Sequence, residues 1–218
     1  MGESLYAYVY VLDTLADWEL GHVLAELNTG QYAKAGRPAV PVRTVAATTS
    51  PVTTMGGLTI VPQATVDDVT AESTAVLLLP GANQWREPQH AAILHRACRL
   101  LDAGVTVAAI CGATGALAEL GALDRRRHTS NSLDYLKLTS TAYRGERSYV
   151  EERAVADGNL ITAGAAGGLD LARLVIERLD LFAEDTLDAW HRFYATADAR
   201  HFLDLLDSLP QSAGRRPS

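Results

Sequence analysis

The stretch VTVAAICGATGAL, residues 105–117, changes pattern sharply at Cys111. The apolar, partly β-branched residues 105–110 predict a buried strand, and the Ala-rich residues 113–120 predict a helix. A strand that runs into a helix within one or two residues forces the turning residue into a strained conformation. We therefore predict that Cys111 projects over the carboxyl edge of a sheet, where open α/β sheets bind ligands.

Apolar runs alternate with helical patterns on both sides of this stretch. Further strands are predicted near residues 5–12, 41–46, 75–79 and 159–163, with a hairpin over 51–62 around Gly56-Gly57 and a turn at Asp157-Gly158. Helices are predicted over residues 17–28, 87–103 and 168–181, and one or two more over 184–209. This alternation is typical of an α/β protein, a three-layer α/β/α sandwich with a mostly parallel sheet.

The composition limits what the chain can be. With 218 residues, 48% of them hydrophobic, it can bury one sizeable core, and we predict a single domain over 1–209 followed by a disordered tail, 210–218. A net charge of −7 argues against non-specific binding to nucleic acid. No apolar run reaches the roughly 18 residues of a membrane span, and the N-terminus resembles no secretory signal. We expect a cytoplasmic protein without nucleic-acid or membrane partners.

The two cysteines, Cys98 and Cys111, do not make a disulfide framework, and the six histidines lack metal-ligand spacing, so we predict no metal and no cofactor. The helix that follows Cys111 points its N-terminus at the sulfur and favours the reactive thiolate. Gly112 offers an N–H group to an oxyanion. The alternative is that Cys111 is a small buried hydrophobe that ends a strand, and the local pattern favours neither interpretation. Cys98 has core spacing within a helix.

Four segments in order resemble the ThiJ/PfpI family of the class I glutamine amidotransferase-like superfamily: ADWEL at 16–20, LLLPGANQW at 77–85, AAICGA at 108–113 and LITAG at 160–164. The resemblance runs from about residue 5 to 180 and implies a flavodoxin-like fold. It also implies that a protonated Glu19 carboxyl contacts the Cys111 sulfur, and that the Gly81-Ala82 turn presents its N–H groups to the cysteine. The alternative for Glu19 is an exposed acid in a first helical turn.

The chain departs from the family pattern in its histidines. Protease-like members follow the cysteine with His, where this chain has Gly112. Other members carry a His where Asn131 stands, and His128 is three residues too early, on the opposite face of a strand. The Cys–His couple of most cysteine hydrolases is therefore not evident. Asn131 is left either to hydrogen-bond a substrate carbonyl or to shape a turn.

Two classes of function follow from the resemblance. The first is a cysteine-dependent hydrolase or amidase, or a related carbonyl-processing enzyme, acting on a small-molecule substrate. The second is a non-enzymatic, redox-responsive or chaperone-like protein of oxidative stress, in which Cys111 is oxidised to a sulfinate beside Glu19. The missing histidine favours the second class, or a scheme in which Glu19 is the base. We also expect a homodimer, because the resemblance suggests it and because apolar surface is offered by Trp190, Phe193, Tyr194 and Phe202.

Overall fold

Two β-sheets form the framework of the computed structural model, which describes residues 5–210. In chain order the strands are β1 (Tyr6–Tyr10), β2 (Val42–Ala46), β3 (Val52–Thr53), β4 (Thr59–Ile60), β5 (Ala64–Thr65), β6 (Thr74–Leu79), β7 (Thr106–Ile110), β8 (Ala154–Asp157) and β9 (Leu160–Ala163). The main sheet has seven strands in the order β5-β2-β1-β6-β7-β9-β8. Its strands pair in parallel, except for the antiparallel pair β8–β9 at one edge. A separate antiparallel hairpin consists of β3 and β4.

Helices cover both faces of the main sheet. They are α1 (Gly21–Thr29), α2 (Ala91–Asp102), α3 (Gly112–Glu119), α4 (Leu133–Thr139), α5 (Gly168–Arg178), α6 (Glu184–Thr196) and α7 (Ala199–Ser208). All five residues of β7 are buried, as expected for a parallel strand that is covered on both sides. The crossovers from β1 to β2 and from β6 to β7 run in opposite directions, which places α1 and α2 on opposite faces. No helix between residues 5 and 210 has the length and apolar character needed to cross a membrane.

The direction in which the strands are connected reverses between β1 and β6, which are neighbours in the sheet. Ligands of open α/β sheets bind outside the carboxyl ends of the strands at such a reversal. The segments that leave the carboxyl ends of β1, β6 and β7 carry Glu19, Gly81 and Cys111, respectively. The topology therefore brings three residues that are far apart in sequence to one edge of the sheet.

The α/β fold predicted from the sequence is confirmed, including all five core strands and the hairpin. The first helix differs from its expected start at residue 17: it begins at Gly21, because residues 17–20 form a turn that buries Glu19. The sequence patterns did not predict α4, β5 or β8. The tail predicted over 210–218 lies, from residue 211 onward, outside the described residues.

The C-terminal helices α6 and α7 extend the layer formed by α1 and α5. Trp190 on α6 is fully buried, and its Nε1 donates to Glu26 Oε1 on α1 at 2.9 Å. Trp190 therefore belongs to the interior and does not provide the exposed surface that we expected from it. Phe202 and Leu206 of α7 keep exposed apolar area. Tyr194, which the prediction also named, is exposed as well, and the homodimer remains a prediction.

Candidate active site

Cys111 occupies the sharp turn between β7 and α3. Its backbone has φ 55° and ψ −119°, a left-handed conformation that is unfavourable for a residue with a side chain. The turn is held from both sides, because the Cys111 N–H donates to the Ala163 carbonyl at 3.0 Å and its carbonyl accepts from Thr114 Oγ1 at 2.6 Å. A strained elbow of this kind presents the nucleophile of many hydrolases at the edge of the sheet.

Glu19 lies directly beside the cysteine, in the turn before α1. Its side chain is buried, with 1% of its surface exposed, which overturns the alternative of a solvated first-turn acid. The Gly81 N–H donates to Glu19 Oε2 at 2.5 Å, whereas Oε1 has no hydrogen-bond partner among residues 5–210. A Cβ atom on Gly81 would lie 2.6 Å from both carboxyl oxygens and 2.8 Å from Cys111 Cβ. Only glycine therefore fits between the carboxyl and the cysteine.

Burial controls the protonation of both groups. It raises the pKa of Glu19, and the hydrogen bond from Gly81 and the interaction with the Cys111 thiol oppose this shift only in part. Burial also raises the pKa of the Cys111 thiol; the amide of Asn131 lowers it, and the charge of Glu19 raises it further. The sequence had led us to expect a lowered thiol pKa, because it reveals the helix N-terminus but not the burial of the sulfur. Burial therefore disfavours the charged form of both groups, so the thiol needs a base in order to react, and Glu19, once ionised, is a stronger base than an ordinary carboxylate.

Asn131 touches the sulfur itself. Its Nδ2 donates to Cys111 Sγ at 3.3 Å, and its Oδ1 accepts from the Ala165 N–H at 2.8 Å. The second contact fixes the amide so that its NH₂ group faces the sulfur. The sequence left two roles open for Asn131, hydrogen bonding to a substrate carbonyl or shaping a turn. The contact with Ala165 fits the second role, and the contact with the sulfur is additional. An amide can stabilise a thiolate by this hydrogen bond, but it cannot take up the proton.

Of the three backbone groups expected to face an oxyanion, Ala82 and Gly112 remain as candidates. The Gly81 N–H is engaged by Glu19, so it cannot point at a substrate oxygen. A Cβ atom on Gly112 would lie 3.2 Å from the Ala82 nitrogen and 2.7 Å from the Ala82 carbonyl oxygen, which shows how closely the two turns approach. The Gly112 N–H also lowers the pKa of Cys111, so it is directed toward the sulfur. Two backbone donors beside a nucleophile are what an acyl-transfer site requires.

Within residues 5–210, no histidine forms a hydrogen bond with the sulfur. His128 is completely buried between other partners, with Nδ1 at 2.7 Å from the Arg126 carbonyl oxygen and Nε2 at 2.7 Å from the Tyr143 hydroxyl. This agrees with the expectation that it faces away from the cysteine. Glu19 is therefore the group in contact with Cys111 that could accept the thiol proton.

The sequence patterns did not indicate two features next to the site, the contact between Thr114 and Ser130 and the position of Tyr135. Thr114 Oγ1 lies 2.6 Å from Ser130 Oγ, a contact that ties the first turn of α3 to the segment that carries Asn131. Tyr135 lies on α4. Burial raises the pKa of its phenol, and the nearby Cys111 raises it further. The start of α4 had a readable signal, because the Ser132 side chain accepts from the Tyr135 N–H at 2.9 Å as an N-cap.

We expect the buried Glu19 to make stability depend on pH. Because its pKa is raised in the folded chain, it contributes stability below the ordinary carboxyl pKa and loses that contribution as pH rises through the raised value. Glu19→Gln cannot ionise. Its melting temperature should match that of the wild type near pH 4 and exceed it by several degrees near pH 8, since about 1 kcal/mol corresponds to roughly 2–4 °C in a chain of this size.

Glu119→Gln is the control for this experiment, because it should change the melting temperature near pH 8 in the opposite direction. Hydrogen bonds from Ser140 and the Ala142 N–H lower the pKa of Glu119, so its replacement should cost stability near pH 8. Calorimetric scans from pH 4 to pH 8 measure both variants. A Glu19→Gln variant that melts below the wild type at pH 8 would mean that the Glu19 carboxylate is stabilising and that its pKa is not raised.

Known proteins are similar in sequence to this chain over most of its length. Residues 6–178 match the profile of the DJ-1/PfpI family. The chain is 42% identical over 202 residues to the uncharacterized protease YoaZ of Bacillus subtilis (strain 168), covering 93% of this chain and 96% of that protein. It is 29% identical over 185 residues to the uncharacterized protease YdeA of the same strain, covering 84% of this chain and 87% of that protein.

Solved structures agree with the sequence comparison. A thiJ/pfpI family protein from Bacillus anthracis has a TM-score of 0.92 at 42% identity, covering 96% of this chain and 99% of that chain. The DJ-1 superfamily protein Atu0886 from Agrobacterium tumefaciens has a TM-score of 0.76 at 27% identity, covering 88% of this chain and 98% of that chain. The chain therefore belongs to the DJ-1/PfpI family.

Proposed function

We propose that the protein is a cysteine-dependent hydrolase of the amidase type that cleaves an acyl bond in a small substrate, with Cys111 as nucleophile and Glu19 as general base. The observation that carries this proposal is the buried Glu19 carboxyl, held at Oε2 by Gly81 and without a partner at Oε1 among residues 5–210, beside the cysteine of a strained elbow. The protease names of two curated relatives support the same class of reaction.

The reaction can be written with the residues present. Glu19 takes the thiol proton as Sγ attacks the acyl carbon, and the oxygen that gains charge is held by the N–H groups of Ala82 and Gly112. The bond to the leaving group then breaks, the leaving group takes the proton from Glu19, and a thioester remains on Cys111. Water attacks the thioester, gives one proton to Glu19, and the C–S bond breaks. That proton returns to the sulfur, and the acid and the leaving group are released.

The contact between Glu19 and the cysteine supports this proposal over the redox alternative, because it supplies a base where the expected histidine is missing. Peroxide oxidises the thiolate, and redox-sensing cysteines have a low pKa and good solvent access. Burial shifts the pKa of Cys111 in the other direction, and the residue is half-buried. The absence of a histidine contact within residues 5–210 would favour the redox class if no base were present. Glu19 removes that objection, because a carboxylate with a raised pKa is a stronger base than an ordinary one.

The covalent intermediate provides the direct test. We expect p-nitrophenyl acetate to produce a burst of nitrophenol and to leave one acetyl group on the protein, seen by intact mass spectrometry after rapid acid quench. Peptide mapping should place that group on Cys111. Acetylation of Cys98, or turnover by the wild type without any acetylated species, would count against the proposal.

A further inference from the structure

A long groove begins at the oxyanion donors and runs across the surface formed by α2, α3 and α4. Its volume is about 950 Å³, at the upper end of the usual range for small-molecule sites. The inner end is formed by Ala82 and Gly112, the two candidate oxyanion donors. Its apolar and aromatic wall includes Trp85, Leu94, Ala116, Leu120, Tyr135 and Leu138.

The free surface inside this acyl groove is mainly apolar. Leu138 is 82% exposed and Leu120 is 38% exposed, although both face a concave site and not a flat surface. Three charged side chains along the groove already have partners: Arg86 Nη2 donates to the Thr139 carbonyl at 2.8 Å, Glu119 accepts from Ser140 at 2.8 Å, and Glu87 accepts from Gln89 at 3.1 Å. The groove therefore offers apolar contact area to a ligand, with Asn83 and His95 as further polar side chains in its wall.

The groove lies next to the oxyanion turn, although Cys111 itself does not line it. A carbonyl whose oxygen lies between the Ala82 and Gly112 N–H groups has its carbon at the sulfur, and one of the two substituents of that carbon, the acyl chain or the leaving group, starts at the inner end of the groove. The Trp85 ring stands there, with Cδ1 3.2 Å from the place of a Cβ atom on Gly112. A second cavity, lined by Trp18 and Tyr194 among others, shares no residue with the oxyanion turn.

We propose that the acyl groove binds an extended apolar acyl chain, so that the substrates are esters or amides of medium-chain aliphatic acids. This inference rests on the proposed function, since it places the chain by the carbonyl that Cys111 attacks. Burial of one methylene group raises the binding constant by about threefold to fourfold. The preference should therefore grow with each carbon until the chain reaches the open end.

The experiment compares p-nitrophenyl acetate, butyrate, hexanoate and octanoate. For the wild type we expect kcat/KM to rise from acetate to octanoate by at least about 50-fold, a conservative value for six added methylenes that are partly exposed. Leu138→Asp places a charge on the groove wall and should reduce the octanoate-to-acetate ratio by about tenfold. Ala116→Phe should fill the groove and move the optimum to a shorter chain. Leu203→Asp, on an exposed leucine of α7 that is 60% accessible, is the control and should leave the ratio unchanged.

A binding measurement separates this proposal from the proposed function. The Cys111→Ala variant cannot form an acyl-enzyme, yet it should bind 11-(dansylamino)undecanoic acid with a fluorescence increase that octanoate reverses and Leu138→Asp weakens. If the wild type hydrolyses acetate and octanoate equally and the probe does not bind, the groove proposal is overturned while the hydrolase stands. If no ester is hydrolysed but the probe binds and is displaced, the hydrolase fails and the apolar site remains.

Discussion

Cys111→Ser should lower kcat/KM for an activated ester by about 1,000-fold or more. Removal of a nucleophile from a coupled set typically has an effect of this size, because the remaining donors cannot replace the covalent step. An alcohol is far less acidic than even a buried thiol, so Glu19 cannot deprotonate the introduced hydroxyl to a useful extent. The hydroxyl is close to the thiol in size, and the elbow should keep its hydrogen bonds to Ala163 and Thr114. Steady-state kinetics with circular dichroism as a folding check measure the effect.

Cys98→Ser is the matched control for this experiment. Cys98 is also half-buried, and burial likewise raises its pKa, but it lies within α2 and away from Glu19. We expect its replacement to change kcat/KM by less than about twofold. The assignment of the nucleophile would be refuted if Cys98→Ser lost the activity and Cys111→Ser kept it.

The central sheet could be predicted because its strands carry their own signals. The run of residues 105–110 is apolar on both faces, and the turn at Asp157-Gly158 is marked by a glycine that adopts φ 61°. The short strand β5 has two residues, and β8 is only partly buried, so neither has a pattern that stands out from a loop. The edges of the sheet are fixed by pairing with neighbouring strands, which a local pattern does not contain.

The site could be predicted only in part, for a similar reason. The elbow at Cys111 is local, and the family resemblance placed Glu19 beside it. The use of the Gly81 N–H by Glu19 depends on two loops 62 residues apart, which no spacing rule connects. The direction of the thiol pKa shift depends on burial, which is a property of the folded chain. The helix N-terminus alone therefore pointed to the wrong direction.

The apolar groove was missed because α4 was missed. Leu138 lies on this short helix, and an exposed leucine indicates a binding groove only when the residues that face it across the groove are known. Trp190 shows the converse error: an aromatic residue near the C-terminus suggested a surface, whereas its Nε1 reaches the buried Glu26 on α1. Both cases depend on which helices pack side by side, and sequence periodicity does not report that.

The largest effect on the pH profile is expected from Glu19→Gln. Loss of a general base typically costs between about 100-fold and 10,000-fold, and we expect about 100-fold in kcat/KM at pH 7. In the wild type the base must be ionised, so activity should rise with pH through the raised pKa of Glu19, above the ordinary carboxyl range. In the variant the thiol must ionise without help, and burial keeps its pKa high. The rise in activity should therefore move to higher pH, and the deficit should shrink as pH increases.

Glu26→Gln is the matched control for the profile. Glu26 is a second buried carboxyl with a pKa raised by burial, but its partners are Trp190 and Gln31, and it does not approach the sulfur. Its replacement should leave both kcat/KM at pH 7 and the midpoint of the profile within experimental error of the wild type. Measurement of kcat/KM from pH 5 to pH 10 for the three proteins decides the matter. If Glu19→Gln lowers activity equally at every pH, Glu19 only positions Cys111, and the proton of the thiol leaves by another route.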